Sequence, residues 1–221
     1  MNTLIIYCHP HVGSHNRRIL EAVERGLAAS GTTYTVVDLY ADGFEPRLTA
    51  DEYARLFVSR APGTDADVTA LQERVRNARN LVFIYPVWWY TAPAALKGFL
   101  DRVFTAGFAY RFRRLTWFLK AGGAIVSFIP GLRYLVQPMA AQGLLKGRRA
   151  YIVRTYGGLP MGRRMFGDTP AFLENAVLRF CGITHIRIRE VYGVNLSSFT
   201  PAREARHLRA IERIASGIRN T

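Results

Sequence analysis

The chain has 221 residues, of which 49% are hydrophobic, which excludes a disordered chain and suffices for one α/β domain with a full core. Thirty Lys and Arg against 16 Asp and Glu give a net charge of +14, so an anionic partner has to be weighed. Only Cys8 and Cys181 are present, far apart in sequence, which excludes a disulfide framework and a zinc spacing and points to a reducing, cytoplasmic setting.

The opening residues, MNTLIIYCHP, form too short an apolar run for a signal peptide and lack a basic leader. Residues 4–8 predict a buried strand that stops at His9-Pro10. Ile19, Leu20, Val23 and Leu27 then recur at helical spacing, with Gly31 as the stop. Residues 34–39 predict a second strand, and a weak helix falls near 51–59 within a polar stretch. A helix over about 67–79 feeds a strand over 81–85. Pro86 closes that strand, Trp88, Trp89 and Tyr90 follow, and a helix opens near Pro93 with Leu96, Phe99, Leu100 and Val103 on its apolar face. Residues 150–156 predict the next strand, about 169–181 a helix, and 185–194 the last strand. Thr200 is placed to cap a final helix with Pro201 at its first position. Alternating strands and helices predict an α/β fold, a doubly wound, flavodoxin-like parallel sheet of five strands in the order 2-1-3-4-5, as a single domain over residues 1–221.

The charge is unevenly distributed. Between Asp101 and Asp168 there is no acidic residue and there are twelve Lys or Arg. Within that segment an insert over about 111–145 interleaves the basic residues with Trp117, Phe118, Ile125, Phe128, Ile129, Leu132 and Leu135. Such a mixture suits an anionic bilayer surface better than a duplex, against which Leu, Ile and Phe gain little; a basic loop folded over the core is the plainer alternative. No uninterrupted apolar run reaches the roughly 20 residues needed to span a bilayer. Peripheral contact with the inner face of a membrane is therefore one expectation, and nucleic-acid binding is set aside.

In this architecture the loops after the first, third and fourth strands meet at one edge, where α/β sheets hold ligands. The first loop, His9 to Asn16, places Gly13 and Ser14 before a helix, where free amides and the helix dipole receive a phosphate. It matches neither the P-loop nor the GxGxxG pattern, and by itself Ser14 reads more simply as an ordinary N-cap. His9, His11 and His15 fit no zinc spacing, so no metal is expected. The aromatic turn at 88–90 offers flat π surfaces suited to a flat heterocycle. Thr155-Tyr156-Gly157-Gly158 ends a strand in paired glycines, which allow a ligand close to the backbone or, more simply, make a turn.

Four segments together resemble the flavodoxin-like NAD(P)H:quinone oxidoreductases, the group that includes the mammalian quinone reductases and bacterial modulators of quinone activity. They are IIYCHPHVGSHNRRIL, YPVWWYTAPAALKGFLDRVFTAGFAY, LLKGRRAYIVRTYGG and LRFCGI. The resemblance implies a bound flavin, FAD or FMN, reduced by NADPH or NADH and reoxidised by a quinone or another flat acceptor, in a homodimer. Carried over position by position, it implies that His9, Ser14, His15 and Asn16 hold the ribityl and phosphate portion and that Gln72 touches the flavin. It further implies that Pro86, Val87, Trp88, Trp89 and Tyr90 line the isoalloxazine ring and that Thr155, Tyr156, Gly157 and Gly158 complete its site. Trp89, Tyr90 and Tyr156 are then the residues expected nearest the chemistry.

Two departures stand out. A Tyr and a His that follow the glycine pair in the mammalian enzymes are absent from LPMGRRMFGDTP, where Arg163 or Arg164 is the available positive charge. The insert is also longer than in most relatives. An alternative role implied by some relatives is a flavin-binding regulatory subunit of a potassium-efflux system.

Overall fold

Strands as continuously apolar as these leave no face for water, so both faces of their sheet have to be covered by helices. The computed structural model, which describes residues 2–58, 65–112, 141–166 and 171–219, has that form. In chain order the elements are β1 (Asn2–Tyr7), α1 (His15–Ala29), β2 (Tyr34–Asp38), α2 (Ala50–Tyr53), α3 (Ala66–Asn77), β3 (Ala78–Pro86) and α4 (Ala94–Val103). They continue with β4 (Tyr110–Phe112), β5 (Ala141–Gly143), β6 (Arg149–Tyr156), α5 (Met161–Phe166), β7 (His185–Tyr192) and α6 (Pro201–Ser216). Short π-helical stretches occupy Ala54–Val58 and Leu173–Leu178.

Five strands form one parallel sheet in the order β2-β1-β3-β6-β7. This is the expected 2-1-3-4-5 order once the two short strands outside the sheet are set apart. Register places Leu4 beside Leu81, Ile5 beside Val82 and Phe83 beside Ile152, so paired residues, and alternate residues along each strand, share a face. Leu4, Ile6, Leu81, Phe83 and Ile152 pack with Val68 and Val75 of α3 and Leu96, Phe99 and Val103 of α4. On the opposite face Ile5, Tyr7, Val82, Ile84 and Val153 pack against Ile19, Leu20 and Val23 of α1 and Ile211 and Ala215 of α6.

The ends of the helices follow the local chemistry. Ser14 caps α1 by accepting from the Arg17 amide, and Gly31 at φ 64° takes the left-handed turn just past its end. Thr200 caps α6 by accepting from the Arg203 amide, with Pro201 as the first helical residue. At α2, Thr49 and Glu52 form a reciprocal capping box, which explains why so short a helix forms in a polar stretch.

Three elements differ from expectation. The helix expected over 51–59 is α helix only over Ala50–Tyr53 and continues as the π stretch. Of the helix expected over 169–181, the first two positions lie outside the described residues, and Leu173–Leu178 is π-helical. At the base of the insert, β4 and β5 pair antiparallel, Tyr110 with Gly143 and Phe112 with Ala141, although no strand was expected there. Three residues per strand are too few for an alternating pattern to show in sequence. Residues 113–140, which carry the interleaved aromatic and aliphatic side chains of the insert, lie outside the described residues. Among the described residues no helix is long and apolar enough to cross a membrane.

Candidate functional site at the carboxyl ends of the strands

β3 passes from Pro86 into a tight turn in which Trp88 and Thr91 exchange both backbone hydrogen bonds, each 3.0 Å long. The two residues between them, Trp89 and Tyr90, have φ of 49° and 58°. This is the backbone of a type I′ hairpin turn, which ordinarily takes Asn and Gly. Bulky side chains in that region cost on the order of 1–3 kcal/mol each, and such strain gathers at functional sites. Trp89 is 96% exposed, and Trp88 meets His9 edge-on with ring centroids 6.1 Å apart. The phenol of Tyr90 leans on Gly162 of α5, where a Cβ would collide with it.

The first loop faces this turn. Ser14 Oγ also lies 3.4 Å from the hydroxyl of Tyr7. Asn16, 3% exposed, donates from Nδ2 to Thr155 Oγ1 at 2.9 Å and thereby ties α1 to β6. Its Oδ1 is buried and has no hydrogen-bond partner in the protein. His15 Nδ1 lies 2.6 Å from Glu204 Oε1 of α6, its Nε2 is buried and unpartnered, and its ring meets Phe199 edge-on. Glu204 also receives Arg18 Nε at 2.5 Å, while Arg18 Nη1 donates to the Gly13 carbonyl at 3.1 Å. Burial lowers the His15 pKa against the opposing pull of Glu204, and burial likewise lowers that of His9.

These loops enclose one cavity of about 560 Å³. His9, Ser14, His15, Asn16, Pro86, Val87, Trp88, Trp89, Thr155 and Gly157 line it, all of them residues picked out in the sequence. Arg18, Val194 and Asn195 line it too and were missed. The loop rule that selected the other strand ends applies equally after β7, and Arg18 stands one helical turn beyond Ser14, so both signals were present. The Asn195 amide sits against Gly157, where a Cβ would come within 2.8 Å of Nδ2. The two loops are joined by Gly193 N–H to the Gly158 carbonyl at 2.8 Å and by Val194 N–H to the Tyr156 carbonyl at 3.1 Å.

Four predicted residues stand apart from the cavity lining. Gln72 is buried and donates from Nε2 to the Val103 carbonyl and to Thr105 Oγ1, which fastens α3 to the end of α4. Tyr90 rests on α5. Gly158 holds the β7 loop through its carbonyl. Tyr156 directs its phenol to Glu190 Oε1 at 2.9 Å and stacks on Tyr192. Its side chain lies on the opposite face of the strand from that of Thr155, as the two-residue period of a strand requires. The side chains of Arg163 and Arg164 lie outside those described. Among the described residues no group of three His, Cys, Asp or Glu is placed to hold a metal.

A parallel sheet in this order, with strand-end loops closing on one cavity, defines a protein of the flavodoxin-like class. The family described as having a flavodoxin-like fold matches residues 1–215. Ribosyldihydronicotinamide dehydrogenase [quinone] of Rattus norvegicus is 30% identical over 215 residues, covering 88% of this chain and 83% of that protein. An uncharacterized NAD(P)H oxidoreductase of Haemophilus influenzae is 28% identical over 197 residues, covering 87% of this chain and 84% of that one. Among solved structures, an NAD(P)H:quinone oxidoreductase from Methanothermobacter marburgensis superposes with a TM-score of 0.75 at 26% identity, over 98% of this chain and 96% of that one. The chain belongs to the flavodoxin-like family of NAD(P)H:quinone oxidoreductases, and it is an oxidoreductase.

Proposed function

We propose that the cavity binds a flavin, FAD or FMN, and that the protein uses it to carry a hydride from NADPH or NADH to a quinone or another flat acceptor. One observation carries this: a strained aromatic turn and a capped helix N-terminus face each other across a single cavity. The residues present fit a flavin. Asn16 Oδ1 and His15 Nε2 are buried polar atoms without partners, and Gly157 keeps the β6 end free of a side chain beside Asn195. A bound flavin supplies hydride acceptance and donation.

The chain's own residues supply position. The amides at the start of α1 and the Arg18 guanidinium place positive charge where a phosphate would lie. Val87 and Trp88 spend their amides on the Thr155 and Thr91 carbonyls, and the Trp89 amide at the tip of the turn is assigned to the polar edge of the ring. The exposed Trp89 ring offers the donor nicotinamide and the acceptor a surface to stack on in turn.

The test is NAD(P)H oxidation by flavin-loaded protein, which should require added menadione and proceed over many turnovers. Asn16→Ala should weaken flavin affinity roughly tenfold, the worth of one buried hydrogen-bonding group. Purified protein that takes up neither FAD nor FMN contradicts the reading. The regulatory-subunit alternative has no specific observation in its favour. The reading also takes the chain as a homodimer, which sedimentation at a monomer's mass would contradict. For the 111–145 segment it takes contact with anionic lipid, which fails if the protein does not co-sediment with phosphatidylserine vesicles at low salt.

A further inference from the structure

Below the strand ends that carry the cavity, an ion cluster is built around one arginine of β6. Arg154 of β6 is fully buried. Its Nη1 and Nη2 donate to Glu174 Oε2 and Oε1, both at 3.0 Å, and its Nε donates to Glu190 Oε1 at 2.8 Å. Glu190 also accepts from the phenols of Tyr156 at 2.9 Å and Tyr192 at 2.8 Å, whose rings are stacked with centroids 4.4 Å apart. Burial works to raise the Glu190 pKa, but the two phenols and Arg154 outweigh it and hold the carboxylate below its ordinary value. One guanidinium and two carboxylates therefore carry a net charge of −1.

The cluster stands close to the cavity. Arg154 is followed by Thr155 in the cavity wall and is paired across the sheet with Tyr85, which is followed by Pro86 in the same wall. Tyr156, held by Glu190, lies between the wall residues Thr155 and Gly157. Two buried ionised groups, Arg154 and Glu174, with a partly buried third, Glu190, are not needed to fill a core, since apolar side chains of equal volume are often as stable.

We propose that this cluster lowers the reduction potential of the flavin, with Glu190 as the positioning residue that sets it through its charge. The proposal rests on the flavin reading given above. Glu190 touches neither flavin nor substrate. Taking up a hydride, two electrons and one proton, adds one negative charge to a bound flavin, and a fixed negative charge nearby opposes that gain. Across roughly 10 Å of protein with an effective dielectric constant of about 20, one unit charge changes such an equilibrium on the order of tenfold. For a two-electron couple that corresponds to about 30 mV. Arg154 and Glu174 are buried and Glu190 is largely so, so added salt screens the cluster less than it would surface charges.

The experiment is an anaerobic redox titration of FMN-loaded protein against a reference dye. Glu190→Gln keeps an acceptor for one of the two phenols and removes the charge; its midpoint potential should be more positive by about 30 mV, on the order of tenfold in the flavin equilibrium. Tyr192→Phe removes one hydrogen bond and no charge, and its potential should match that of the parent. If Glu190→Gln does not fold, Glu174→Gln removes the other carboxylate and should shift in the same direction. An unshifted potential in a charge-removing variant overturns the proposal, and so does an equal shift in Tyr192→Phe, which would indicate a structural role. Failure of the parent protein to bind FMN or FAD is a different result and overturns the flavin reading together with the proposal.

Discussion

Trp89 holds a left-handed backbone that a glycine would adopt freely, and it does so with nearly its whole side chain in solvent. Packing does not explain a tryptophan there; the proposed stacking of a flat ligand on its ring would. Trp89→Gly is therefore expected to raise stability against urea by about 1 kcal/mol by releasing strain, while raising the KM for quinone several-fold through loss of a stacking surface. A variant both less stable and unchanged in KM would contradict this. Cys8 and Cys181 behave in the opposite way. Both are buried, and burial pushes each thiol up to about 12. A disulfide reagent at neutral pH should titrate neither in the native protein and both after unfolding in guanidinium. At this scale the type and spacing of residues in the sequence were enough to pick out lining residues of the candidate cavity, such as Ser14, Asn16, Trp88 and Trp89. It did not reveal the partners of Gln72 and Tyr156, because those lie on α4 and β7, far away in the chain.

Elements with a strong repeat were legible, and those whose form depends on a distant partner were not. α1 and β3 show their periodicity plainly. The β4–β5 ribbon does not, since three residues per strand acquire meaning only when paired. The type I′ turn was likewise hidden, because its usual Asn-Gly signal is replaced by Trp89-Tyr90. Helix packing adds a constraint that spacing alone does not display. Gly26 of α1 is so close to α6 that a Cβ would collide with the Glu212 carbonyl and stand 2.7 Å from the Ala215 Cβ. Gly26→Ala should accordingly destabilise the fold by about 1–3 kcal/mol in chemical denaturation, even though alanine is the better helix former. An unchanged or raised midpoint would show that the two helices separate easily.

For the whole molecule, acid should act through a small number of partly buried groups rather than through the surface excess of arginine. Burial lowers the pKa of His15 and of His207 below 6.5, so the unfolded chain takes up protons first as pH falls through 6.5, and stability begins to fall there. Glu190 and Glu204 are held below the ordinary carboxylate value of 4.5 by their partners. Their contribution is complete above 4.5 and is lost as pH falls further, through their folded values. Urea midpoints measured from pH 8 down to 3 should show a plateau, a decline beginning near 6.5 and a steeper decline below 4.5. A midpoint constant down to pH 4 would contradict it. The sheet order was readable from alternating strands and helices, and the site from the rule that ligands sit beyond strand ends. The buried Arg154 cluster was not readable, because nothing in the sequence pairs an arginine on one strand with carboxylates 20 and 36 residues later.

The central claim is that the cavity holds a flavin which a reduced nicotinamide can reduce. Its most direct test is the visible absorption spectrum of flavin-loaded protein, recorded without oxygen before and after addition of NADPH or NADH. A flavin band that bleaches, and returns when menadione is added, is the predicted result. A bound flavin that stays oxidised with both nucleotides, or a protein that binds no flavin, would contradict the account.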